Sequence, residues 1–539
     1  MYRKISKLII VFIGSVSTLI VSAQIETITA SDLESHVSFL ASPLLMGRMN
    51  GERGLEIAAE YIAAQAKFIG LKPANGNSYF QSYTLNKEIN DPKKTEVRII
   101  SNDGKTIEIN KDPLYSMVPY CPANVSFEGE IVFAGYGISN DNNYNDFDGI
   151  ETEGKILLIM DRAPTAPDGT TCLLNNPEWL SENNIRMKLS SLTRAKAKAI
   201  LVVSDPKSGY ESLIESNPQT AGYYSLRFFE GGRRERGGYY GSTNVVFIHR
   251  NLADNILKDT GFTLEDLQNK IDRSLTSSSF AINKKVAVNI ETKVETVTLQ
   301  NVAGYIEGSD PVLKKEVVVF SGHYDHVGGY GDKIFVGADD NASGCAALLE
   351  MAQAFQSLKT KPRRTILFLW VSGEEIGLYG SAAYVKDPLF PLKNTVVDLN
   401  MDMIGRVKGV ADTTSQNPMS GKNTVFLITG NQSSELLAIA NDVDKKIELD
   451  FDYSLSGANH PLQLFARSDH YNFVQKDIPV LFFSTGLHTD YHTPRDVIER
   501  LDFNKMEAVT RAMYEIGFEV ANRRTRIIVD NPFSKWGRR

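Results

Sequence analysis

Histidine and acidic side chains follow several apolar segments in the second half of the sequence. Six of the eight histidines lie between positions 323 and 492. Imidazole nitrogens and carboxylate oxygens are ligands that zinc takes in proteins, and adjacent acidic residues after an apolar segment are costly without a cation nearby. The sequence therefore predicts a metal site. The segments concerned are GHYDH (322–326), GADDNASG (337–344), SGEE (372–375), NMD (400–402) and HTDYHTP (488–494).

Short apolar runs alternate with helical patterns from about residue 291 onwards. The clearest helical pattern is Ala342–Leu358. This alternation predicts an α/β fold with a mixed, mainly parallel central sheet sandwiched by helices. Because functional groups collect at the carboxyl ends of strands in such sheets, the chelating side chains should meet at one edge. The predicted strands are Val317–Phe320, Thr365–Val371, Asn394–Met401, Val425–Thr429 and Ile478–Ser484.

These segments together resemble the co-catalytic zinc aminopeptidase family, which also includes glutamate carboxypeptidases, glutaminyl cyclases and the transferrin receptor. The resemblance covers residues from about 300 to 500 and rests on GHYDH, GADDNASG, SGEEIGLYGS, NMDMIG and DYHTP, in that order. The segments LLMGR (44–48) and GLKP (70–73), with Gly51, are similar to the N-terminal part of the same family. The block between is similar to a protease-associated domain, through FAGYGI (133–138) and GKILLIMDRA (154–163).

The resemblance implies that two zinc ions per chain are held by five side chains, one of which bridges both ions. Cobalt or manganese would suit similar ligands, so the metal itself is not fixed by the ligand types. The implied ligands are His323 and Asp402 for one ion, Glu375 and His492 for the other, and Asp340 for both.

The same resemblance implies supporting roles beside the ligands. A cis peptide bond would join Asp340 to Asn341, and Asp325 would hydrogen-bond the ring of the first ligand histidine. Glu374 would act as the general base that takes a proton from water and passes it to the leaving amine. Tyr491 is a candidate for donating to the oxyanion or the substrate, with a buried structural role as the alternative.

The leading interpretation is a secreted zinc metallo-exopeptidase, an aminopeptidase that hydrolyses N-terminal residues of peptides through a metal-bridging hydroxide. A dipeptidase or carboxypeptidase of the same superfamily stays open, because the sequence identifies no carboxylate-binding arginine in the pocket. A glutaminyl cyclase is a further alternative, although the resemblance implies a single zinc and lost ligands there. A non-catalytic, receptor-like protein is the last alternative, but such proteins lose the base and the ligands, all of which are present.

The chain of 539 residues is too long for one ordinary domain. Its start combines basic residues, an apolar run and the small-residue site Val21-Ser22-Ala23, and this pattern predicts export to the periplasm, cell surface or exterior. No stable membrane insertion is expected after cleavage. The predicted segments are a signal peptide (1–23), an N-terminal part of the peptidase domain (24–118), an inserted β-rich protease-associated domain (119–290), the catalytic domain (291–525) and a C-terminal tail (526–539).

The net charge of −7 gives no overall attraction to nucleic acid. We therefore expect peptide substrates and no nucleic-acid partner, and the short arginine-rich loop 227–241 does not change this expectation. The oligomeric state is unknown from the sequence. With three cysteines the fold does not depend on disulfides. Cys345 is predicted to be a buried thiol, and a bond between Cys121 and Cys172 is left open.

The remaining polar residues of the region have simpler interpretations. His326, His470 and His488 are interpreted as pocket-lining or hydrogen-bonding residues. Asp469 is a candidate for a supporting contact near the metal site. The run 140–148, which is rich in Asn and Asp, fails the EF-hand calcium template and is interpreted as a solvated loop.

Overall fold

The computed structural model divides the chain into two compact units. The first comprises the residues up to Thr84, Thr298–Gly329 and those from Lys333 onwards, and the second comprises Leu85–Val297 with Tyr330–Asp332. The described residues are 25–109, 117–119, 124–139, 141, 143–181, 184–216, 226–230, 244–330, 333–409 and 417–536. The predicted signal peptide, Cys121 and most of the arginine-rich loop therefore lie outside the described residues.

Both units combine β-strands with α-helices. The described strands are β1 (Lys72–Pro73), β2 (Phe80–Asn90), β3 (Glu96–Ser101), β4 (Thr106–Ile109), β5 (Met117–Pro119), β6 (Val125–Phe133), β7 (Ile156–Met160), β8 (Ala199–Val203), β9 (Leu226–Phe229), β10 (Asn244–Ile248), β11 (Phe280–Ile290), β12 (Thr292–Ile306), β13 (Val317–His323), β14 (Gly329–Tyr330), β15 (Lys333–Ile334), β16 (Thr365–Val371), β17 (Thr395–Met401), β18 (Thr424–Ile428), β19 (Asp450–Asp452) and β20 (Val480–Ser484). The described α-helices are Ala30–Leu40, Arg53–Ile69, Asn184–Arg194, Leu213–Ser216, Arg250–Leu257, Leu264–Ser274, Gly344–Ser357, Tyr379–Lys386, Ser434–Asp444, His470–Val474 and Phe503–Asn522.

The first unit contains seven neighbouring strands of a mixed sheet, in the order β19-β18-β20-β17-β13-β16-β12. From β20 to β16 the pairs are parallel, whereas β18 and β12 are antiparallel to their neighbours β20 and β16. Every residue of β13, β16 and β17 is buried. Parallel strands covered on both faces are expected to be continuous apolar runs of this kind. The predicted fold class is therefore confirmed.

The register of these strands brings their carboxyl ends to one level. His323 at the end of β13 lies opposite Val371 at the end of β16, and the SGEE segment follows at once. Met401 at the end of β17 lies opposite Phe483 near the end of β20, and Asp402 follows directly. The chelating side chains therefore leave the sheet at one edge, as the sequence predicted.

The second unit contains its own sheet, with the described strands in the order β4-β3-β11-β6-β7-β8-β10-β5. Strands β6, β7, β8 and β10 are parallel, and the remaining pairs are antiparallel. Apolar side chains of these strands and of the helices Arg250–Leu257 and Leu264–Ser274 form a buried core. The type of this unit, a protease-associated domain, stays a prediction.

The run at 140–148 differs from the solvated loop expected from its composition. Asp146 is fully buried, and its carboxylate accepts hydrogen bonds from the N–H groups of Tyr136 and Ile138, both at 3.0 Å, and from the Tyr144 hydroxyl at 2.6 Å. Gly135 has a φ of +50°, and a Cβ there would lie 1.9 Å from a carboxylate oxygen of Asp146. The carboxylate of Asp146 therefore anchors this run to the backbone of the segment that precedes it, at Tyr136 and Ile138.

Three further expectations concern membranes, cysteines and the C-terminus. Within the described ranges, no helix combines the length and the apolar character needed to cross a membrane. Cys345 is a buried thiol, as predicted, and Cys172 is a half-buried free thiol; Cys121 lies outside the described residues. The last described residues include the turn Phe533–Lys535, after which Trp536 packs against Phe465 with ring centroids 5.9 Å apart.

Candidate metal centre

The five predicted ligands come together at the edge of the first sheet. His323 ends β13, Asp402 follows β17, and Asp340 lies in the helical turn Ala338–Ser343. His323 Nε2 is 3.2 Å from Asp340 Oδ1 and 3.3 Å from Asp402 Oδ1. His492 Nε2 is 3.1 Å from Asp340 Oδ2 and 3.0 Å from Glu375 Oε2. The two oxygens of Asp340 therefore face two different groups of side chains.

Each group has the geometry of a metal site. Among the described residues, potential ligand atoms of His323, Asp340 and Asp402 lie within 4.8 Å of one another. The same holds for the second group, in which Asp340 is joined by Glu375, His492 and also His326. The peptide bond between Asp340 and Asn341 is cis, as expected. A carboxylate shared between two such groups could contact two divalent cations held close together.

Buried atoms without partners test whether a cation fits the first group. His323 is fully buried and Asp402 is 8% exposed. Within the described residues, His323 Nε2 and Asp402 Oδ1 make no hydrogen bond, although a buried polar atom without a partner is costly. The two atoms lie 3.3 Å apart. A metal ion coordinated by both atoms would satisfy them together, so the residues fit a zinc ion.

The electrostatics of the site also favour a cation. Burial lowers the pKa of His323, but the carboxylates of Asp402 and Glu374 outweigh burial and raise it well above the ordinary histidine value. Burial likewise lowers the pKa of His492, but Glu375 and Asp340 raise it to about 10. The carboxylates thus create a negative potential that favours a positive charge on both imidazoles. A divalent metal ion would be attracted by the same potential.

Glu374 and Glu375 are adjacent in sequence but differ in environment. Burial raises the pKa of Glu375, but His492 and His326 outweigh burial and hold it at about 2. Burial, Glu375 and Asp402 raise the pKa of Glu374 well above its ordinary value. Adjacent carboxyl groups with pKa values moved apart in this way are typical of a ligand beside a proton-transferring group. Glu374 belongs to neither ligand group and lines the neighbouring pocket.

Asp325 supports the centre, but through atoms that differ from the expectation. The ring Nδ1 of His323 lies 3.1 Å from the backbone carbonyl of Asp325, whereas the nearer carboxylate oxygen is 3.7 Å away. The carboxylate instead accepts the backbone N–H groups of Glu374 and Glu375, both at 3.2 Å, and the amide of Asn50 at 2.6 Å. The carboxylate of Asp325 therefore holds the SGEE loop, and its backbone carbonyl contacts the ring of His323.

Arg48 holds the loops of the metal centre through backbone carbonyls. It is 1% exposed and donates to the carbonyls of Tyr324 at 2.8 Å, Val336 at 2.6 Å and Gly337 at 3.0 Å, and also to that of Leu40. Charge-assisted hydrogen bonds of this kind are stronger than neutral ones. In the sequence this residue stands out only as part of the LLMGR motif.

Asp496 holds the turn that presents Asp340. Its carboxylate accepts the backbone N–H of Asp339 with both oxygens and that of Asp340 with Oδ2, each at 3.1 Å. Asp496 is fully buried, and 156 positions separate it from Asp340. No pattern in the sequence connected these residues, since the acceptor follows the DYHTP motif and the donors belong to GADDNASG.

The histidines and the aspartate with simpler interpretations lie around the centre. His326 Nδ1 lies 2.8 Å from Glu375 Oε1, so it hydrogen-bonds a ligand of the second group. His488 Nε2 lies 3.4 Å from Asp339 Oδ2. Asp469 accepts a hydrogen bond from the Ser381 hydroxyl at 2.6 Å, and within the described residues its hydrogen bonds do not reach a ligand.

A pocket opens beside the two groups. Three acidic residues face it from the metal centre, and five apolar side chains form much of the remaining wall. Tyr491 lies at the pocket with its ring stacked on His492, the centroids being 3.8 Å apart. The described lining residues are Asp340, Glu374, Asp402, Met403, Ile428, Leu464, Arg467, Phe482, Ser484, Gly486, Leu487 and Tyr491.

Known proteins resemble this chain in the same region. Residues 301–517 match the model of peptidase family M28. Aminopeptidase YwaD of Bacillus subtilis (strain 168) is 26% identical over 381 residues, which cover 68% of this chain and 72% of that protein. Leucine aminopeptidase 1 of Trichophyton equinum is 29% identical over 248 residues, covering 44% of this chain and 62% of that protein. The structure of BSAP, a zinc aminopeptidase from Bacillus subtilis, aligns with a TM-score of 0.53 at 19% identity, covering 93% of this chain and 98% of that chain.

Residues 301–517 therefore match peptidase family M28, and the family resemblance recognised from the motifs is confirmed over this range.

Proposed function

We propose that this protein is a zinc-dependent aminopeptidase that releases N-terminal residues from peptides. The observation that carries the proposal is the pair of ligand groups that share Asp340 beside a pocket containing Glu374. The similarity to aminopeptidases of Bacillus and Trichophyton supports the same activity. A glutaminyl cyclase and a receptor-like protein are disfavoured because the side chains of both groups are present.

We infer two zinc ions, one held by each group, with Asp340 between them. When bound, zinc would polarise the scissile carbonyl and acidify a water molecule. Glu374 would take the proton of that water and deliver it to the leaving amine, as its raised pKa favours. Burial raises the pKa of Tyr491, so its hydroxyl keeps the proton that it would donate to the developing oxyanion.

The pocket itself suits the N-terminus of a peptide. Carboxylates of Asp340, Glu374 and Asp402 line one side. With Asp340 and Asp402 engaged by zinc, Glu374 would be the free carboxyl group that faces the α-amine. Apolar side chains that also line the pocket, including Leu464 and Phe482, suit an apolar part of the substrate. Export and the protease-associated type of the second unit are further parts of the proposal, and they rest on the sequence patterns alone.

A substrate panel tests the proposed activity. The purified protein should hydrolyse leucine p-nitroanilide but not its N-acetyl derivative, because the acetyl group removes the positive charge of the amine. A chelator should abolish the hydrolysis, and added zinc should restore it with a stoichiometry approaching two ions per chain. Hydrolysis of the acetylated substrate alone would contradict the aminopeptidase assignment, and activity that survives complete metal removal would contradict the metal site.

A further inference from the structure

The pocket beside the metal centre has one positively charged side chain among its described lining residues, Arg467. This arginine is exposed, and it immediately precedes Ser468, whose hydroxyl donates to Asp402 at 2.8 Å. Its backbone is therefore tied to the metal centre while its guanidinium lies at the pocket. A cation in this position faces whatever part of the substrate occupies the pocket.

Within the described residues, Arg467 forms no ion pair with a carboxylate. Its guanidinium lies 5.9 Å from the centre of the Tyr491 ring and donates a long hydrogen bond of 3.4 Å to the Tyr491 hydroxyl. Other arginines of the same region are engaged differently, since Arg406, Arg495 and Arg500 all donate to Asp490 at 2.7–2.8 Å. Arg467 thus retains donors for an incoming anion.

Outside the metal centre, the described lining of the pocket offers an anion no second cationic side chain. One side carries the carboxylates of Asp340, Glu374 and Asp402, and much of the remaining wall is apolar, as at Met403. Guanidinium groups bind carboxylates through two parallel hydrogen bonds, a geometry that an ammonium group does not reproduce. The position of Arg467 therefore favours a substrate carboxylate in the pocket beside the metal centre.

We propose that Arg467 binds a carboxylate of the peptide substrate, which makes it a specificity-determining residue. The inference rests on the proposed aminopeptidase function and narrows its substrate class to small peptides that bring a carboxylate into this pocket. The carboxylate is either the C-terminus of a dipeptide or an acidic first side chain. Both sources present the same group to Arg467, and different substrate pairs separate them.

Two matched substrate pairs test the proposal on the zinc-loaded, full-length protein. Leu-Leu and Leu-Leu-amide differ only in the C-terminal charge, and the p-nitroanilides of Glu and Gln differ only in the charge of the first side chain. For each pair we define the charge preference as the ratio of the two kcat/KM values. The variants are Arg467→Gln, Arg467→Lys and Arg524→Gln, the last being an exposed arginine that does not line the pocket.

The wild type should prefer the charged member of one pair by about five- to tenfold, as expected for a partly exposed charged hydrogen bond. In Arg467→Gln this ratio should fall to about one, mainly through KM, and in Arg467→Lys it should be only partly kept. Arg524→Gln should keep the wild-type ratio. The pair that responds identifies the source of the carboxylate.

Two outcomes would overturn the role of Arg467, and a third would overturn the proposed aminopeptidase function. If the wild type shows no charge preference in either pair, or if Arg467→Gln keeps the preference, then Arg467 does not bind a substrate carboxylate. If none of these free-amine substrates is hydrolysed, the aminopeptidase function itself fails, and the inference fails with it. Hydrolysis of the uncharged members without a charge preference would contradict the role of Arg467 alone.

Discussion

Replacement of Asp496 by asparagine should weaken metal binding although Asp496 is not a ligand. An asparagine offers a neutral acceptor in place of the carboxylate, and its NH₂ group would face a backbone N–H that now has an acceptor at 3.1 Å. A charged hydrogen bond contributes about 1.5–3 kcal/mol and a neutral one about 0.5–1.5 kcal/mol. For the N–H groups of Asp339 and Asp340 together, the loss is therefore about 1.5–3 kcal/mol, or about ten- to a hundredfold in affinity.

Calorimetric titration of zinc into the metal-free protein measures this effect. Asp490→Asn is the matched control, because Asp490 accepts hydrogen bonds from arginine side chains and not from the turn that carries Asp340. Urea unfolding of both metal-free variants shows whether they are folded. If folded Asp496→Asn binds zinc as tightly as the wild type, the argument that Asp496 positions Asp340 is refuted.

Three further predictions address the base, a supporting histidine and the response to acid. Glu374→Gln should lower kcat by about 10²–10⁴ while the chain keeps both metal ions, because the base is lost and the ligands are not; loss of metal in elemental analysis would mean that base and ligand are wrongly assigned. His326→Gln should lower the zinc affinity of the group containing Glu375 about tenfold, because the 2.8 Å contact with that carboxylate is altered; a stepwise chelator titration should show one weakened site, and two unchanged sites would contradict the prediction. Burial lowers the pKa of His470 from 6.5 to about 3, so only the unfolded chain binds this proton between these pH values. The stability gained from the neutral ring is complete above pH 6.5 and is lost as the pH falls towards 3. In the metal-free His470→Leu variant, the free energy of unfolding should depend less steeply on pH over this range, by about 1.4 kcal/mol per pH unit; equal slopes in urea unfolding would exclude the assigned protonation.

The central strands could be predicted because strands buried on both faces are runs of consecutive apolar residues. Thr365–Val371 was predicted with the bounds that β16 has in the structure. Strand β20 begins at Val480 rather than Ile478, since Pro479 lacks the N–H that a ladder requires. Strand β13 continues past Phe320 to His323, because pairing with β16 holds its polar end. Such extensions depend on the neighbouring strand and are not visible in the local pattern.

The ligand set could be expected from motifs, whereas the residues that hold it in place could not. Arg48, Asp496 and Arg467 lie far in sequence from the residues that they contact or face. Arg48 is 289 positions from Gly337, to which it donates. Periodicity and short motifs report on neighbours along a strand or helix, so contacts at such separations require the folded chain. The motif also did not predict which atoms of Asp325 contact which groups. Its carboxylate accepts N–H groups of the SGEE loop, and its backbone carbonyl contacts the ring of His323.

Arg48 and Asp496 make the metal centre depend on two residues that lie far apart in the sequence. The turn that carries Asp340 is held from one side by a residue near the beginning of the chain and from the other by Asp496 near its end. During synthesis this turn cannot be held by both residues until the chain has been made as far as Asp496. Removal of the segment ahead of Met49 would leave every ligand in place but take away the Arg48 hydrogen bonds to Val336 and Gly337. The metal centre therefore depends on a segment that contributes no ligand to it.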